Sequence, residues 1–140
     1  EDEIEMVKKT TSKAGEEIKM VVSAEEIIEI QNIVREIPVP DNVMSYAVKL
    51  AYSTRPGTPL ASPKVNQYVK YGAGSRASQS LILAAKARAL LNSRLNASIE
   101  DVKAVAKPIL RHRIALNFRA NADGVNIEEL LNEWIAADLT

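Results

Sequence analysis

The sequence predicts an all-α fold, a bundle of five or six helices. Apolar residues recur at intervals of three and four along most segments, and Ser, Asp or Asn stands where several of these segments begin. No segment shows the sustained alternation that is typical of strands. With 140 residues, 46% of them hydrophobic, the chain is expected to bury one core rather than two.

The N-terminal part predicts one short helix and one longer helix. The first ten residues favour the short helix, and a polar linker follows from Thr10 to Lys19. Ser23, with Glu26 three residues later, predicts a capping box at the start of the second helix, and Pro38 ends that helix. The buried stripe of this helix is expected to be Ile27, Ile30, Val34 and Ile37.

Two helices and a long irregular segment are predicted for the middle of the chain. Asp41 is expected to cap the third helix, with Pro56-Gly57 as its stop. The segment from Ser53 to Gly74 holds three prolines and three glycines, and only Val65 to Tyr71 could form a short helical turn or an edge strand there. The fourth helix, residues 76–92, is apolar nearly all round and is expected to be central. The buried face of the third helix is expected to be Val43, Met44, Ala47, Leu50 and Ala51.

The C-terminal part predicts two further helices. Ser98 and Asp101 have capping-box spacing at the start of the fifth helix, and Pro108 predicts a kink or a break near Lys107. Asn126 marks the start of the last helix. Its buried residues are expected to be Ile127, Leu130, Leu131, Trp134, Ile135 and Leu139.

The charges are unevenly distributed although the net charge is zero. Residues 1–36 carry 10 acids and 5 bases, residues 37–120 carry 3 acids and 13 bases, and residues 121–140 carry 5 acids and no base. No carboxylate lies between Asp41 and Glu100. A segment that excludes acids favours contact with an anion, so one function that the sequence allows is that of a helical nucleic-acid-binding module. A second possible function is that of a protein-interaction bundle with no nucleotide role.

Several kinds of catalytic site are excluded or disfavoured. The absence of cysteine removes disulfides, thiolate nucleophiles and Cys-ligated zinc, and there is no calcium-binding loop, so no metal site is expected. The single histidine, His112, lies between Arg111 and Arg113 and is interpreted as a surface or packing residue near a helix end. The sequence has no GxxxxGK[ST] phosphate loop, so we expect no ATP hydrolysis by this chain alone. No apolar run reaches the roughly 18 residues of a membrane span.

The segment Tyr71–Ser78, directly before the central helix, is the best candidate site. Gly72 and Gly74 allow close backbone approach, and a helix start offers free N–H groups. Arg76 lies in the first turn, where the positive end of the helix dipole disfavours a base. Such a base requires a nearby anion, either a ligand phosphate or an acidic side chain.

Several sequence blocks together carry a family resemblance. In chain order these blocks are Val39–Asp41, Tyr46–Leu50, Thr54–Arg55, Gly72–Ser78, Leu81–Ala89, Ser98–Ala106 and Leu110–Arg113. They closely resemble the C-terminal lid domain of MoxR-family AAA+ ATPases, and the match covers about residues 1–135. The resemblance implies that residues 1–22 are a short helix and linker leaving an ATPase core domain, and that residues 23–140 are the helical lid.

The resemblance also implies a site. In that family the glycine-led motif usually reads GASPRA, and its arginine is the sensor 2 residue that reaches from the lid to the nucleotide phosphates. This implies a catalytic role for Arg76 and nucleotide contacts by Gly74, Ser75, Arg76 and Ala77. Gly74 and Ser75 stand where the family usually has Ser and Pro, so the helix begins without its proline. Arg111 and Arg113 are candidates for packing or subunit contacts.

The cofactors and partners follow from the resemblance alone. ATP or ADP with Mg²⁺ is expected in the full-length protein, and none for this chain by itself. The expected partners are the ATPase core domain of the same chain, neighbouring subunits of a homo-oligomeric ring and proteins with von Willebrand factor A domains. The expected setting is a cytoplasmic, chaperone-like regulator, and nucleic acid is the less favoured partner.

Overall fold

Helices dominate the residues that the computed structural model describes, which are 2–12, 19–137 and 139. The described residues form eight helices and two short strands, so the predicted all-α class is confirmed. By its internal contacts the chain divides into Glu1–Ile30 and Gln31–Thr140, and the expected boundary after residue 22 remains a prediction. The elements are α1 (Asp2–Thr11), α2 (Ala24–Glu36), α3 (Asp41–Ser53), α4 (Pro63–Tyr68), β1 (Val69–Tyr71), α5 (Ser75–Leu91), α6 (Ile99–Leu110), β2 (Ala115–Leu116), α7 (Phe118–Ala122) and α8 (Ile127–Ala136).

The central helix is α5, as the sequence predicts. It packs against α3 and α6, and α6 also contacts α3 and α8. Ala77, Leu81, Ala85 and Ala89 recur every four residues along α5 and are fully buried. Three of these four residues are alanines, whose small side chains let the neighbouring helices approach closely. Movement of α5 would therefore involve the α3 and α6 side chains packed against it.

Two short helices, α4 and α7, raise the number of helices above the predicted five or six. Ser62 Oγ caps α4 by accepting from the Val65 N–H at 3.3 Å, and Asn117 Oδ1 caps α7 by accepting from the Ala120 N–H at 3.0 Å. Between them β1 pairs antiparallel with β2. Both structures that the sequence allowed for Val65–Tyr71, a helical turn and a strand, are therefore present. Helices of six and five residues are too short to show an apolar period.

Three of the four expected N-terminal caps are confirmed, and one of them is Asn126, whose Oδ1 accepts from the Glu128 N–H at 2.9 Å. The Ser23 N–H donates to Glu26 Oε2 at 2.8 Å, which lowers the pKa of Glu26, and the Glu26 N–H donates to Ser23 Oγ at 3.1 Å. Ser98 and Asp101 also form a reciprocal capping box. The prediction that Asp41 caps α3 is wrong, because Pro40 occupies the cap position and Asp41 is the first helical residue.

The expected buried stripe of α2 is only partly correct. Ile27 and Ile30 are about half exposed, at 47% and 49%, Val34 is half-buried and Ile37 is buried. The C-terminal end of α2 is the part held to the bundle, since Lys86 Nζ donates to the Arg35 carbonyl oxygen at 2.7 Å. Of the polar linker expected from Thr10 to Lys19, Thr10 and Thr11 belong to α1, and residues 13–18 lie outside the described residues.

Three further expectations concern single positions. Met44 is 44% exposed, and the buried aromatic residue on α3 is Tyr46, which the sequence pattern did not single out. Trp134 is buried, as expected. Helix α6 runs through Lys107 and Pro108 to Leu110, so the expected break near Lys107 is absent. Pro108 lies in the last turn, where the helix ends two residues later.

Candidate functional site

The N-terminus of α5 carries the residues that the sequence singled out. Gly74 is the cap residue, with an extended backbone and no side chain to accept a hydrogen bond. Ser75 and Arg76 are exposed, and their N–H groups have no acceptor among the described residues. The Ala77 N–H donates to the Gly74 carbonyl oxygen at 2.9 Å and the Ala77 methyl group is buried. Gly74, Ser75 and Arg76 are therefore the exposed residues at this helix start, while Ala77 is engaged within the chain.

Arg76 differs from every other base between residues 37 and 120. Twelve of the 13 Lys and Arg residues in this interval make a side-chain hydrogen bond, ion pair or ring contact with a described residue. The Arg76 guanidinium makes none with the described part of the chain, and no acid there neutralises it. The sequence left two possible anions for Arg76, a ligand phosphate or an acidic side chain. No acidic side chain of the described residues pairs with it.

The loop before α5 lies on the C-terminal end of α3. Thr54 is fully buried, and its Oγ1 accepts from the Ala73 N–H at 2.9 Å while donating to the Ala51 carbonyl oxygen at 2.7 Å. Arg55 Nε donates to the Ala73 carbonyl oxygen at 2.7 Å. A Cβ atom on Gly72 would stand 2.3 Å from the Thr54 carbonyl oxygen. Gly72 is therefore required by lack of space, whereas a Cβ on Gly74 would meet nothing within 4 Å.

The opposite end of α5 is fixed by a buried carboxylate, Asp101. Arg88 Nη1 donates to Asp101 Oδ1 at 2.6 Å, and Arg94 forms a two-pronged pair with both carboxylate oxygens. The Ser98 N–H and hydroxyl donate to Oδ2 at 2.9 and 2.8 Å. The hydrogen bonds from Arg94, followed by those from Ser98 and Arg88, hold the pKa of Asp101 far below its ordinary value against the opposing effect of burial.

This cluster is structural and is not part of the candidate site. Asp101 joins the end of α5, the following turn and the start of α6, and Arg88 lies twelve residues after Arg76 along α5. At about 1.5 Å per residue this places their α-carbons roughly 18 Å apart. The sequence identified Asp101 only as a cap and missed both arginines, although Arg88 and Arg94 lie close before it in the acid-free interval.

The block Leu110–Arg113 contains packing residues. Arg111 Nε pairs with Glu128 Oε1 of α8 at 3.1 Å, and Arg113 Nη2 donates to a hydroxyl group on α5. His112 is exposed, with its Nδ1 3.2 Å from the Pro108 carbonyl oxygen. Both arginines thus have the packing role that the sequence left open.

The described residues contain no group of three or more His, Asp or Glu side chains placed to hold a metal ion. None of their helices has the length and apolar character needed to cross a bilayer.

Comparisons with known proteins agree with this fold. The AAA lid domain model matches residues 63–134, which is just over half of the chain and includes the whole of α5 and α6. The chain belongs to the AAA lid domain family. It is 32% identical over 114 residues to Chaperone MoxR1 of Mycobacterium tuberculosis, which confirms the resemblance to the C-terminal lid of MoxR-family AAA+ ATPases. This alignment covers 81% of the chain and 30% of Chaperone MoxR1.

Two further relatives extend the comparison. The chain is 28% identical over 122 residues to the uncharacterized protein YeaC of Bacillus subtilis, with 87% of the chain and 35% of YeaC covered. A crystal structure of a protein from Cytophaga hutchinsonii ATCC 33406, assigned as an ATPase, matches with a TM-score of 0.84 and 29% identity, covering 99% of this chain and 42% of that one. The lid thus spans about a third of the length of the curated relatives it matches.

Replacing Ser75 with proline should stabilise the lid. Ser75 is the first helical residue and its N–H has no acceptor in the described part of the chain, while Gly74 already has the extended backbone that a residue before proline prefers. We expect Ser75→Pro to raise the free energy of unfolding, measured in urea, by about 0.5–1 kcal/mol through a less flexible unfolded chain.

Ser78→Pro is the matched control, since Ser78 is the fourth residue of the same helix and its N–H is the first that can bond to a carbonyl oxygen four residues earlier. It should cost about 3 kcal/mol. A loss of stability in Ser75→Pro would show that the Ser75 N–H has an acceptor in the folded lid or that the backbone there cannot accommodate proline.

Proposed function

We propose that this lid brings Arg76 to the phosphates of the nucleotide bound by the ATPase core domain of the same protein, as the sensor 2 arginine. The observation that carries the proposal is that Arg76, alone among the 13 bases of residues 37–120, has no partner within the described residues. Its position in the first turn of a helix is locally unfavourable for a cation, and a phosphate oxygen offsets that cost.

The residues at the start of α5 fit a polyphosphate. The N–H groups of Ser75 and Arg76 have no acceptor within the described residues, and the guanidinium beside them has no acidic partner there. Helix N-termini of this kind favour anions. ATP with Mg²⁺ supplies the transferable phosphoryl group when it is bound. Arg76 donates hydrogen bonds to oxygens whose negative charge is greatest during transfer, which stabilises the transition state.

The position of Arg76 also provides a route from nucleotide state to domain movement. Because α5 packs against α3 and α6, a displacement of the first turn of α5 by the contact between Arg76 and the phosphate moves the packed helices together. Gain or loss of the γ-phosphate then changes the preferred orientation of the lid relative to the ATPase core domain.

The wider setting is part of the same proposal. An AAA+ lid acts with an ATPase core domain, and we place this one in a cytoplasmic, chaperone-like regulator that forms a homo-oligomeric ring. Proteins with von Willebrand factor A domains are its proposed clients.

Arg76→Ala in the full-length protein tests the proposal. ATP turnover should fall by about a hundredfold or more, the size of effect seen when one preorganised donor to a transition-state oxygen is removed. The unfolding midpoint of the lid should not fall, because the Arg76 guanidinium contacts none of the described residues and its position in the first turn is unfavourable for a cation.

The control is Arg119→Ala, which removes an exposed arginine paired only with Asp123 one turn later at 3.6 Å. Its turnover should equal that of the unaltered protein. Unchanged turnover in Arg76→Ala would remove Arg76 from the nucleotide site.

A further inference from the structure

The first turn of α5 is held from both sides by side chains that belong to other parts of the lid. On one side Thr54 and Arg55 hold the loop that precedes it, and on the other Arg113 reaches it through Ser80. We infer that Thr54 and Arg113 are positioning residues for Arg76, which they act on through the backbone. The inference rests on the proposed function of Arg76.

The contacts made by Thr54 and Arg55 fix Ala73, three residues before Arg76. The Ala73 N–H and carbonyl groups are both bonded, the first to Thr54 Oγ1 at 2.9 Å and the second to Arg55 Nε at 2.7 Å. Two bonds to consecutive residues of another segment leave the Ala73 backbone little freedom to rotate. Thr54 has no exposed surface, so it acts on α5 and not on a ligand.

Arg113 holds the other side of the turn. Its Nη1 donates to the Ile109 carbonyl oxygen at 2.7 Å, which anchors the guanidinium on the last turn of α6, and its Nη2 donates to Ser80 Oγ at 3.2 Å. Ser80 Oγ in turn donates to the carbonyl oxygen of Arg76 at 2.9 Å. The block Leu110–Arg113, whose arginines were candidates for packing or subunit contacts, thereby connects to the backbone of Arg76.

These contacts set where the base of the Arg76 side chain lies. An exposed arginine has several rotatable bonds, so its guanidinium samples many positions even from a fixed backbone. Movement of that backbone would add to this spread, and a misplacement of roughly 1 Å in a catalytic group can cost about a hundredfold in rate. Weakening either contact should therefore reduce turnover while leaving the Arg76 side chain present.

The first test compares substitutions at Thr54 in the full-length protein. Thr54→Val keeps the shape and removes the acceptor for the Ala73 N–H, and Thr54→Ser restores that acceptor. We expect Thr54→Val to lower the maximal rate of ATP turnover between about tenfold and a hundredfold. Thr54→Ser should recover most of the rate.

The matched control is Ser53→Ala. Ser53 is buried next to Thr54, and its hydroxyl donates to the carbonyl oxygen three residues earlier at 2.9 Å, as Thr54 does, but it makes no bond to the loop before α5. It should destabilise the lid without changing turnover at a temperature where the lid is folded. Equal loss of turnover in Ser53→Ala and Thr54→Val would overturn the inference.

A double-mutant cycle separates positioning from a general structural role. If Thr54 acts through Arg76, Thr54→Val has no further effect on turnover in an Arg76→Ala background. The same loss in both backgrounds would show that Thr54 acts independently, which overturns the inference. Arg113→Met repeats the cycle at a half-buried position. If Thr54→Val fails to fold, an equal loss of turnover by Arg113→Met with and without Arg76 overturns the inference, and a loss seen only when Arg76 is present supports it.

The outcomes for the two proposals differ. Reduced turnover in Arg76→Ala with full turnover in Thr54→Val and Arg113→Met would contradict the positioning role and leave the proposed function standing. Full turnover in Arg76→Ala would overturn both.

Discussion

Asp101→Asn is expected to lower the free energy of unfolding of the lid by about 3–5 kcal/mol, the range found when one partner of a buried ion pair is removed. The carboxylate has no exposed surface and accepts from Arg88, Arg94 and Ser98. Asparagine keeps the size of the side chain but cannot neutralise two guanidinium groups, and it turns an NH₂ donor toward groups that are themselves donors. Urea unfolding followed by circular dichroism measures the loss.

The control is Glu133→Gln, which breaks the ion pair between Lys64 and Glu133 at 2.6 Å. Both side chains of this pair are about half exposed, so solvent screens it and the expected cost is below about 1 kcal/mol. Similar losses in the two variants would contradict the structural role assigned to Asp101.

The same carboxylate predicts how stability depends on pH. The folded pKa of Asp101 lies far below the unfolded value of about 3.9, so the unfolded state binds more protons as the solution is acidified. Its contribution is fully present above about pH 5 and is lost as the pH falls through the unfolded pKa toward the folded one. Asp101→Asn should therefore show a shallower loss of stability below about pH 5 than the unaltered lid. Parallel curves for the two proteins would contradict this origin.

Gly72→Ala is the second large effect, with an expected loss of about 3 kcal/mol or more in the free energy of unfolding. The new Cβ would stand 2.3 Å from the Thr54 carbonyl oxygen and 2.6 Å from the Arg55 α-carbon, and neither backbone atom can turn aside as a side chain would. The loop must move away from α3, which also strains the bonds that hold Ala73.

Gly74→Ala is the control two residues along the chain. A Cβ there meets nothing within 4 Å and the backbone φ is −80°, so the change should stay within about 1 kcal/mol. Equal losses at the two positions would show that the close approach of Gly72 to α3 does not limit stability.

Much of the helical fold could be predicted because its signals are local. The capping box of Ser98 and Asp101 lies within four residues, and the apolar stripe that contains Trp134 repeats within one helix. Periodicity alone could not show that Tyr46, rather than Met44, faces the core of α3, since both positions lie near its apolar face. Pro40 takes the cap position expected for Asp41. The local sequence does not show which of these two neighbouring residues is the cap.

The candidate site, too, could be predicted only in part from the sequence. Arg76 stood out in the sequence as a base at a helix start, where the dipole opposes it. The structure is needed to show that Arg76 lacks a partner within the described residues, while the twelve other bases of residues 37–120 each have one. The bond between Thr54 and Ala73 joins residues 19 apart, and no local pattern reports a contact of that kind.

The most direct test of the role of Arg76 is a structure of the full-length protein with Mg²⁺ and a non-hydrolysable ATP analogue. A guanidinium nitrogen of Arg76 should lie about 2.7–3.2 Å from a γ-phosphate oxygen, the distance of a charge-assisted hydrogen bond. An Arg76 that points away from the nucleotide, or that pairs with an acidic side chain of the core domain, would contradict its assignment as the phosphate-sensing residue of this lid.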